Sequence, residues 1–169
     1  MSIDHLVGGA VNGLMLVIVA IAIPRFTRHI LAAVLVVAAL FYVGFALQAQ
    51  ASAPWLAAEL IGVGIYGYAA LRGVRGSAWW LVGGWALHPV WDAALHLAAP
   101  GRAFAPEWYT TSCLTWDLMV AAIAAVAILV GTHLTALPSA KTLAPVVRLR
   151  PATCTCGSTC CTATGARAA

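Results

Sequence analysis

Five side chains that could perform acid–base or metal chemistry lie within otherwise apolar stretches of the sequence. They are Glu59, His88, Asp92, His96 and Asp117, and they include three of the chain's five acidic residues. On insertion scales, a charged side chain at the centre of a membrane helix costs about 2.5–3.5 kcal/mol, and such residues usually mark functional sites. The chain therefore places much of its acidic charge where that charge is most costly.

The densest polar cluster has a helical spacing. His88, Asp92 and His96 lie at positions i, i+4 and i+8, so on a helix they share one face, within an arc of about 80°. Pro89 follows His88 directly and cannot donate a backbone hydrogen bond to the carbonyl of Trp85. We therefore expect a kink beside His88, of a kind found at sites buried within membrane proteins.

Three carboxyl groups and two imidazoles in one layer of low dielectric constant cannot all keep the charges that they carry in water. Either they share protons or a cation binds among them. Histidine and carboxylate ligands suit Zn²⁺, Fe²⁺ or Mn²⁺. We therefore predict a divalent-metal cofactor with His88, Asp92, His96 and Asp117 as candidate ligands. Glu59 and Asp117 are the candidate catalytic carboxylates, with Glu59 as the general base for a metal-activated water.

The same polar layer is compatible with other functions, and the sequence leaves them open. It could be the entrance of a transporter or channel for a cation or protons. The inner half carries no comparable buried charge, so a continuous path would need a homo-oligomer. It could also fix helix register in a non-enzymatic scaffold or subunit of a partner complex. Whether the protein is an enzyme, and on which substrate, does not follow from the residues.

The elements that position these side chains follow from the composition. Of the 169 residues, 63% are hydrophobic and 8% are charged, which leaves too little polar surface for a soluble globular domain. The nine basic residues form no stripe, so the sequence favours no nucleic-acid partner. Five apolar stretches approach the roughly 20 residues that a helix needs to cross a lipid bilayer. They are residues 6–23, 30–49, 55–71, 78–98 and 112–134.

We therefore predict an all-α polytopic membrane protein, in which a five-helix transmembrane bundle occupies residues 1–135 and contacts the lipid bilayer. Small residues share the faces that carry the polar side chains, as expected where membrane helices approach closely. The sets are Glu59 with Gly62, Tyr66, Ala70 and Gly73; Cys113 with Asp117, Ala121 and Ala125; and Gly9 with Gly13. The second stretch contains no ionisable residue within it, so we expect that helix at the periphery.

The basic residues predict the orientation, because cytoplasmic loops are enriched in lysine and arginine. With five spans, one side carries eight of the nine, and the other carries only Arg102. The eight are Arg25, Arg28, Arg72, Arg75, Lys141, Arg148, Arg150 and Arg167. We predict a bacterial inner-membrane protein with its N-terminus outside and its C-terminus in the cytoplasm. Glu59, Asp92 and Asp117 would then lie at similar depths in the outer half.

Residues 136–169 form a biased tail, which we expect to be disordered and cytoplasmic. Four of the five cysteines fall within it, at positions 154, 156, 160 and 161. Closely spaced thiols suit soft metals such as Cu(I) or Zn²⁺, and structural disulfides are not expected in the reducing cytoplasm. Because the tail has no histidine and no surrounding core, an extension without a selected function is the simpler interpretation.

One stretch of sequence resembles a known family. The run from Gly84 to His96, Gly-Trp-Ala-Leu-His-Pro-Val-Trp-Asp-Ala-Ala-Leu-His, is similar to the characteristic segment of small bacterial membrane proteins grouped as domain of unknown function 6010. The resemblance covers about residues 55–125 and implies a membrane protein but no particular activity. It implies that seven residues belong to the family motif: Glu59, Arg72, His88, Asp92, His96, Cys113 and Asp117. Departures at Leu95, Trp116 and Leu118 argue against a function that needs a doubled histidine or two thiols.

Overall fold

The structure, a computed structural model, describes residues 2–131, and within that range every regular element is helical. Five longer helices follow one another along the chain. They are α1 (Ile3–Ala22), α2 (Thr27–Gln48), α3 (Ala53–Arg75), α4 (Trp79–Asp92) and α5 (Glu107–Leu129). Short 3₁₀ turns at Pro24–Phe26 and Pro100–Ala103 and a π-helical turn at Ala93–Leu97 complete the order. The predicted all-α fold with five helices is confirmed.

Four of the helical segments are long and apolar enough to cross a membrane. They are Ile3–Ala22, Pro24–Gln48, Ala53–Arg75 and Glu107–Leu129. Large apolar side chains such as Val37, Phe41 and Leu129 are exposed on the outer faces of the helices, as expected for surfaces that lie against hydrocarbon. These features are those of a multi-pass membrane protein.

The predicted fourth span, residues 78–98, is divided in the structure. The α-helix continues through Pro89 and ends at Asp92, after which the backbone widens into the π-helical turn. In that turn the N–H of Ala98 donates to the carbonyl of Ala93 at 2.9 Å, five residues back. The 14-residue α4 is therefore too short by itself to count as a membrane span.

Close backbone packing between α1 and α5 depends on two glycines. A Cβ atom on Gly9 would collide with the carbonyl oxygen of Ser112, and one on Gly13 would lie 2.7 Å from the carbonyl oxygen of Trp116. The hydroxyl of Thr115 also donates to the carbonyl of Leu6 at 2.7 Å. The Gly9-x-x-x-Gly13 spacing therefore forms a helix-packing face, as the sequence predicts.

The other helices pack in neighbouring pairs, with α2 along α3 and α4 against both α3 and α5. Leu35, Leu81, Trp85 and Val120 form the fully buried centre of the apolar core. At one end, the guanidinium of Arg28 donates to the carbonyl of Gly76 at 2.9 Å. The first and third interhelical connections therefore lie at the same end of the bundle.

The prediction that the second helix is peripheral is wrong. Leu31, Leu35 and Tyr42 of α2 are each at most 1% exposed. That prediction assumed that only helices with ionisable residues lie in the interior of the bundle. An apolar helix can equally cover a polar site, and α2 does so through Tyr42. The predicted tail, its four cysteines and the boundary at residue 135 lie outside the described residues.

Candidate metal centre

Three of the predicted site residues meet between α4 and α5. Nδ1 of His88 lies 2.8 Å from Oδ2 of Asp117 and 3.5 Å from Oδ2 of Asp92. One ligand atom from each residue lies within 4.8 Å of the others, and this is the group of potential metal ligands found within residues 2–131. Since all three side chains are at most 1% exposed, water does not solvate their charges.

Helical spacing explains why these side chains converge. His88 and Asp92 are four residues apart on α4, so both face the same neighbour. Asp117 lies on the buried face of α5 that also contains Cys113, Ala121 and Ala124, and these small side chains allow the close approach of α4. The small-residue faces predicted for α3 and α5 are largely confirmed, because Gly62, Tyr66, Ala70 and Gly73 of α3 are also buried.

His96 lies in a second pair rather than in this group. Its Nε2 is 3.5 Å from Oε1 of Glu59, and both residues are at most 2% exposed. The extra residue of the π-helical turn changes the direction of His96 relative to the His88 and Asp92 face. The structure thus brings three of the four predicted metal ligands together and places the fourth beside the predicted general base.

The second pair is held by aromatic and backbone contacts. The ring of Tyr42 stacks on His96, with centroids 4.1 Å apart and planes 4° from parallel. The ring of Phe104 also packs edge-on against the His96 imidazole, with ring centroids 5.6 Å apart. A Cβ atom on Gly101 would collide with the carbonyl oxygen of Leu95 and lie 2.9 Å from Nδ1 of His96. Glycine at position 101 therefore lets the loop cover His96.

Two buried imidazole nitrogens of the site, Nε2 of His88 and Nδ1 of His96, have no hydrogen-bond partner among the described residues. Buried polar atoms are normally paired, and an unpaired buried charge is very costly. The site therefore has unused capacity to bind a proton, a water molecule or a cation.

Two tyrosines contact the site, and the sequence analysis did not single out Tyr42. The ring centroid of Tyr66 lies 4.7 Å from that of His88, and the ring centroid of Tyr42 lies 6.0 Å from it, with Tyr42 also stacked on His96. Both hydroxyls are buried. One signal was available, since Tyr42 carries a hydroxyl in the middle of an otherwise apolar helix.

A cavity of about 830 Å³ opens beside the second pair at the loop between the π-helical turn and α5. His96 lies on its wall, with Pro100, Arg102 and Glu107 around it. Arg102 and Glu107 are exposed. The cavity therefore extends from these exposed side chains to His96, the histidine of the second pair.

Comparison with known proteins identifies the family. Residues 4–133 match the family described as Family of unknown function (DUF6010). The chain belongs to DUF6010. The matched range contains all five predicted site residues and, apart from Ile3 at the start of α1, all five helices. No curated protein and no solved structure matches the chain.

The DUF6010 match confirms the resemblance that the sequence shows, and the structure separates the residues that carry it. Cys113 is 5% exposed and lies one helical turn from Asp117, so it belongs to the site region. Arg72 does not, because it is 13 residues from Glu59 on α3, about 20 Å along a helix. There its guanidinium lies 5.6 Å from the ring of Trp80.

Proposed function

We propose that this protein is a membrane-embedded divalent-metal protein in which His88, Asp92 and Asp117 bind the ion. The observation that carries the proposal is the convergence of two buried carboxylates, Asp92 and Asp117, on the single imidazole of His88, with one ligand atom from each residue within 4.8 Å of the others. One imidazole carries at most one positive charge, so it leaves one of two ionised carboxylates uncompensated, which is costly in a buried site. A cation compensates both carboxylates at once.

The arrangement supports hydrolytic or redox chemistry of a metalloenzyme. A bound Zn²⁺, Fe²⁺ or Mn²⁺ would supply Lewis acidity and an activated water. Glu59 is the candidate general base, and its contact with His96 gives the proton a second acceptor close to the cavity at Arg102. Asp117 is hydrogen-bonded to His88 and thereby fixes the orientation of the imidazole, in addition to offering a carboxylate oxygen to the ion.

Transport of a cation or proton through one copy of the chain is disfavoured by the packing beyond the site. Leu35, Leu81, Trp85 and Val120 are each at most 1% exposed, and all but Trp85 carry no polar side-chain atom. A path from His88 to the opposite end would have to cross this apolar layer. Transport is therefore retained only for an assembly of several copies.

The membrane placement that accompanies the proposal has the N-terminus outside and the C-terminus in the cytoplasm of a bacterial inner membrane. The Arg28 to Gly76 hydrogen bond supports it, because the first connection, which contains Arg25, and the end of α3, which contains Arg72 and Arg75, then lie at one end. In this arrangement α4 and the π-helical turn together make the remaining crossing, over residues 79–97. Residues 1–135 form the membrane domain, and residues 136–169 form a separate cytoplasmic tail.

Elemental mass spectrometry of the detergent-purified full chain tests the proposal. We expect near-stoichiometric Zn, Fe or Mn in the wild type, and at least about a tenfold loss in Asp92→Asn. The matched control is Asp4→Asn, which removes an exposed acidic residue at the start of α1 and should retain the metal. A chain truncated after Pro151 should retain it too. Equal metal in the wild type and Asp92→Asn, or metal lost only on truncation, would contradict the proposal.

A further inference from the structure

A second cavity reaches the metal centre from the side of the bundle. It has a volume of about 490 Å³ and lies between α2 and α5, with α1 at one edge. Its walls include Val37 and Phe41 from α2 and Trp108 from α5, whose side chains are about half exposed. Asp117 and Cys113, both buried, lie on its inner wall. We refer to this cavity as the lateral cleft.

The helix pairing explains why the lateral cleft exists. Helix α1 packs along α5, and α2 packs along α3, so α2 and α5 diverge. Tyr109 spans the gap. Its hydroxyl donates to the carbonyl of Ala38 at 3.1 Å. Its ring centroid lies 5.5 Å from that of Phe41 and 5.1 Å from that of Phe45. The divergence therefore leaves an aromatic-lined space instead of a packed interface.

The position and lining of the lateral cleft define what can enter it. It lies between two segments that are long and apolar enough to span a membrane, so its opening faces hydrocarbon and not water. Its volume falls within the roughly 300–1,000 Å³ typical of small-molecule sites. Most of its lining is apolar, and the described residues that line it include no lysine or arginine. An anionic head group would therefore find no basic side chain there, whereas an uncharged head group needs none.

We propose that the lateral cleft binds the hydrocarbon chain of a single-chain lipid with an uncharged head group, which enters from the bilayer and places that head group at Asp117. This inference names the substrate class of the metal centre and in that respect rests on the proposed function. Binding of the lipid itself depends only on the cleft. Asp117 is the residue shared by the two, since it lines the cleft and hydrogen-bonds to His88.

Photolabelling with a defined lipid tests the inference. The probe is a monoacylglycerol that carries a diazirine on its acyl chain, added to the full-length protein in lipid nanodiscs, with labelled peptides identified by mass spectrometry. We expect adducts to concentrate on the cleft-lining parts of α2 and α5, around Phe41 and between Tyr109 and Cys113. The lysophosphatidic acid with the same acyl chain should label these peptides less.

Paired variants on α2 supply the control. Ala38 lines the lateral cleft, whereas Ala33 is exposed on the same helix and lines neither of the two cavities described above. Ala38→Phe should reduce labelling by about tenfold, equivalent to about 1.4 kcal/mol of binding, and Ala33→Phe should leave it unchanged. Val37→Phe, at the half-exposed rim, is a second blocking variant that is easier to accommodate should Ala38→Phe fail to fold.

The outcomes separate the two proposals. Cleft labelling that Val37→Phe or Ala38→Phe suppresses, with metal content unchanged, supports the inference. Cleft labelling in a protein without metal would refute the proposed function and leave lipid binding standing. Labelling spread evenly over all lipid-facing helices, equal labelling of the Ala33→Phe and Ala38→Phe proteins, or stronger labelling by lysophosphatidic acid would overturn the inference.

Discussion

Replacing Asp92 by asparagine should change the stability of the protein in opposite directions with and without metal. The ligand atoms of Asp92 and Asp117 lie within 4.8 Å of each other. Two ionised carboxylates at that separation repel by about 3 kcal/mol at an effective dielectric constant of about 20. His88 offers a single Nδ1 atom to both, at 3.5 and 2.8 Å. Without metal, Asp92→Asn removes this repulsion and should raise the free energy of unfolding by about 1–3 kcal/mol.

With metal the sign should reverse. An ion present at about 1,000 times its dissociation constant adds about 4.1 kcal/mol to the stability of the wild type. Asp92→Asn loses most of that contribution, and the loss exceeds the gain of about 1–3 kcal/mol from removing the repulsion. The assay is unfolding of the detergent-solubilised protein, measured by circular dichroism in a chelator and again in excess Zn²⁺ or Mn²⁺. Asp4→Asn is the matched control, with no expected change in either condition.

A structural network predicts a different result. If the carboxylate of Asp92 mainly fixes helix register, Asp92→Asn lowers the free energy of unfolding equally with and without metal. Destabilisation in the chelator, together with no response of the wild type to added metal, would refute the reasoning.

Four further predictions follow from other contacts. Acidification from about pH 7.5 to about pH 5.5 should release the metal, because protons compete for the same imidazole and carboxylate atoms, and metal content after dialysis measures this. Gly9→Ala should lower the free energy of unfolding by about 1–3 kcal/mol through its collision with α5, whereas Gly8→Ala, with nothing within 4 Å of the added methyl group, should not. Tyr42→Ala should cost about 3–5 kcal/mol of stability through lost packing on His96, and Tyr42→Phe much less, by chemical denaturation. A membrane-impermeant maleimide should label Arg102→Cys but not Arg75→Cys in intact cells, and the reverse pattern would invert the topology.

Much of the fold could be predicted from the sequence because one physical constraint dominates it. Hydrocarbon requires each spanning segment to satisfy its own backbone hydrogen bonds, so long apolar stretches must be helices. The buried faces follow from the same logic, and Glu59, Gly62 and Tyr66 are buried together as their spacing predicts. The beginning of α5 was placed at residue 112, five residues late, because Glu107 and the threonines after it are too polar to mark a span.

The arrangement of the site was predicted less completely. Spacing on an ideal helix grouped His96 with His88 and Asp92, but the π-helical turn after Asp92 turns His96 toward Glu59. The loop at Gly101 packs against this turn at Leu95 and His96, and the sequence of α4 does not contain that contact. The position of Tyr42 against His96 is likewise a tertiary contact, and no local pattern in α2 encodes it.

The π-helical turn also separates the group of His88, Asp92 and Asp117 from the pair of His96 and Glu59. A change in the number of residues in the turn would affect only the pair. Deleting one residue there, such as the exposed Ala94, would remove the extra residue, restore an α-helical repeat and change the backbone that carries His96. His88 and Asp92 precede the turn and Asp117 lies on another helix, so a deletion at Ala94 would leave their mutual geometry in place. A change in the length of this turn would therefore act on the His96 and Glu59 pair and leave the group of His88, Asp92 and Asp117 in place.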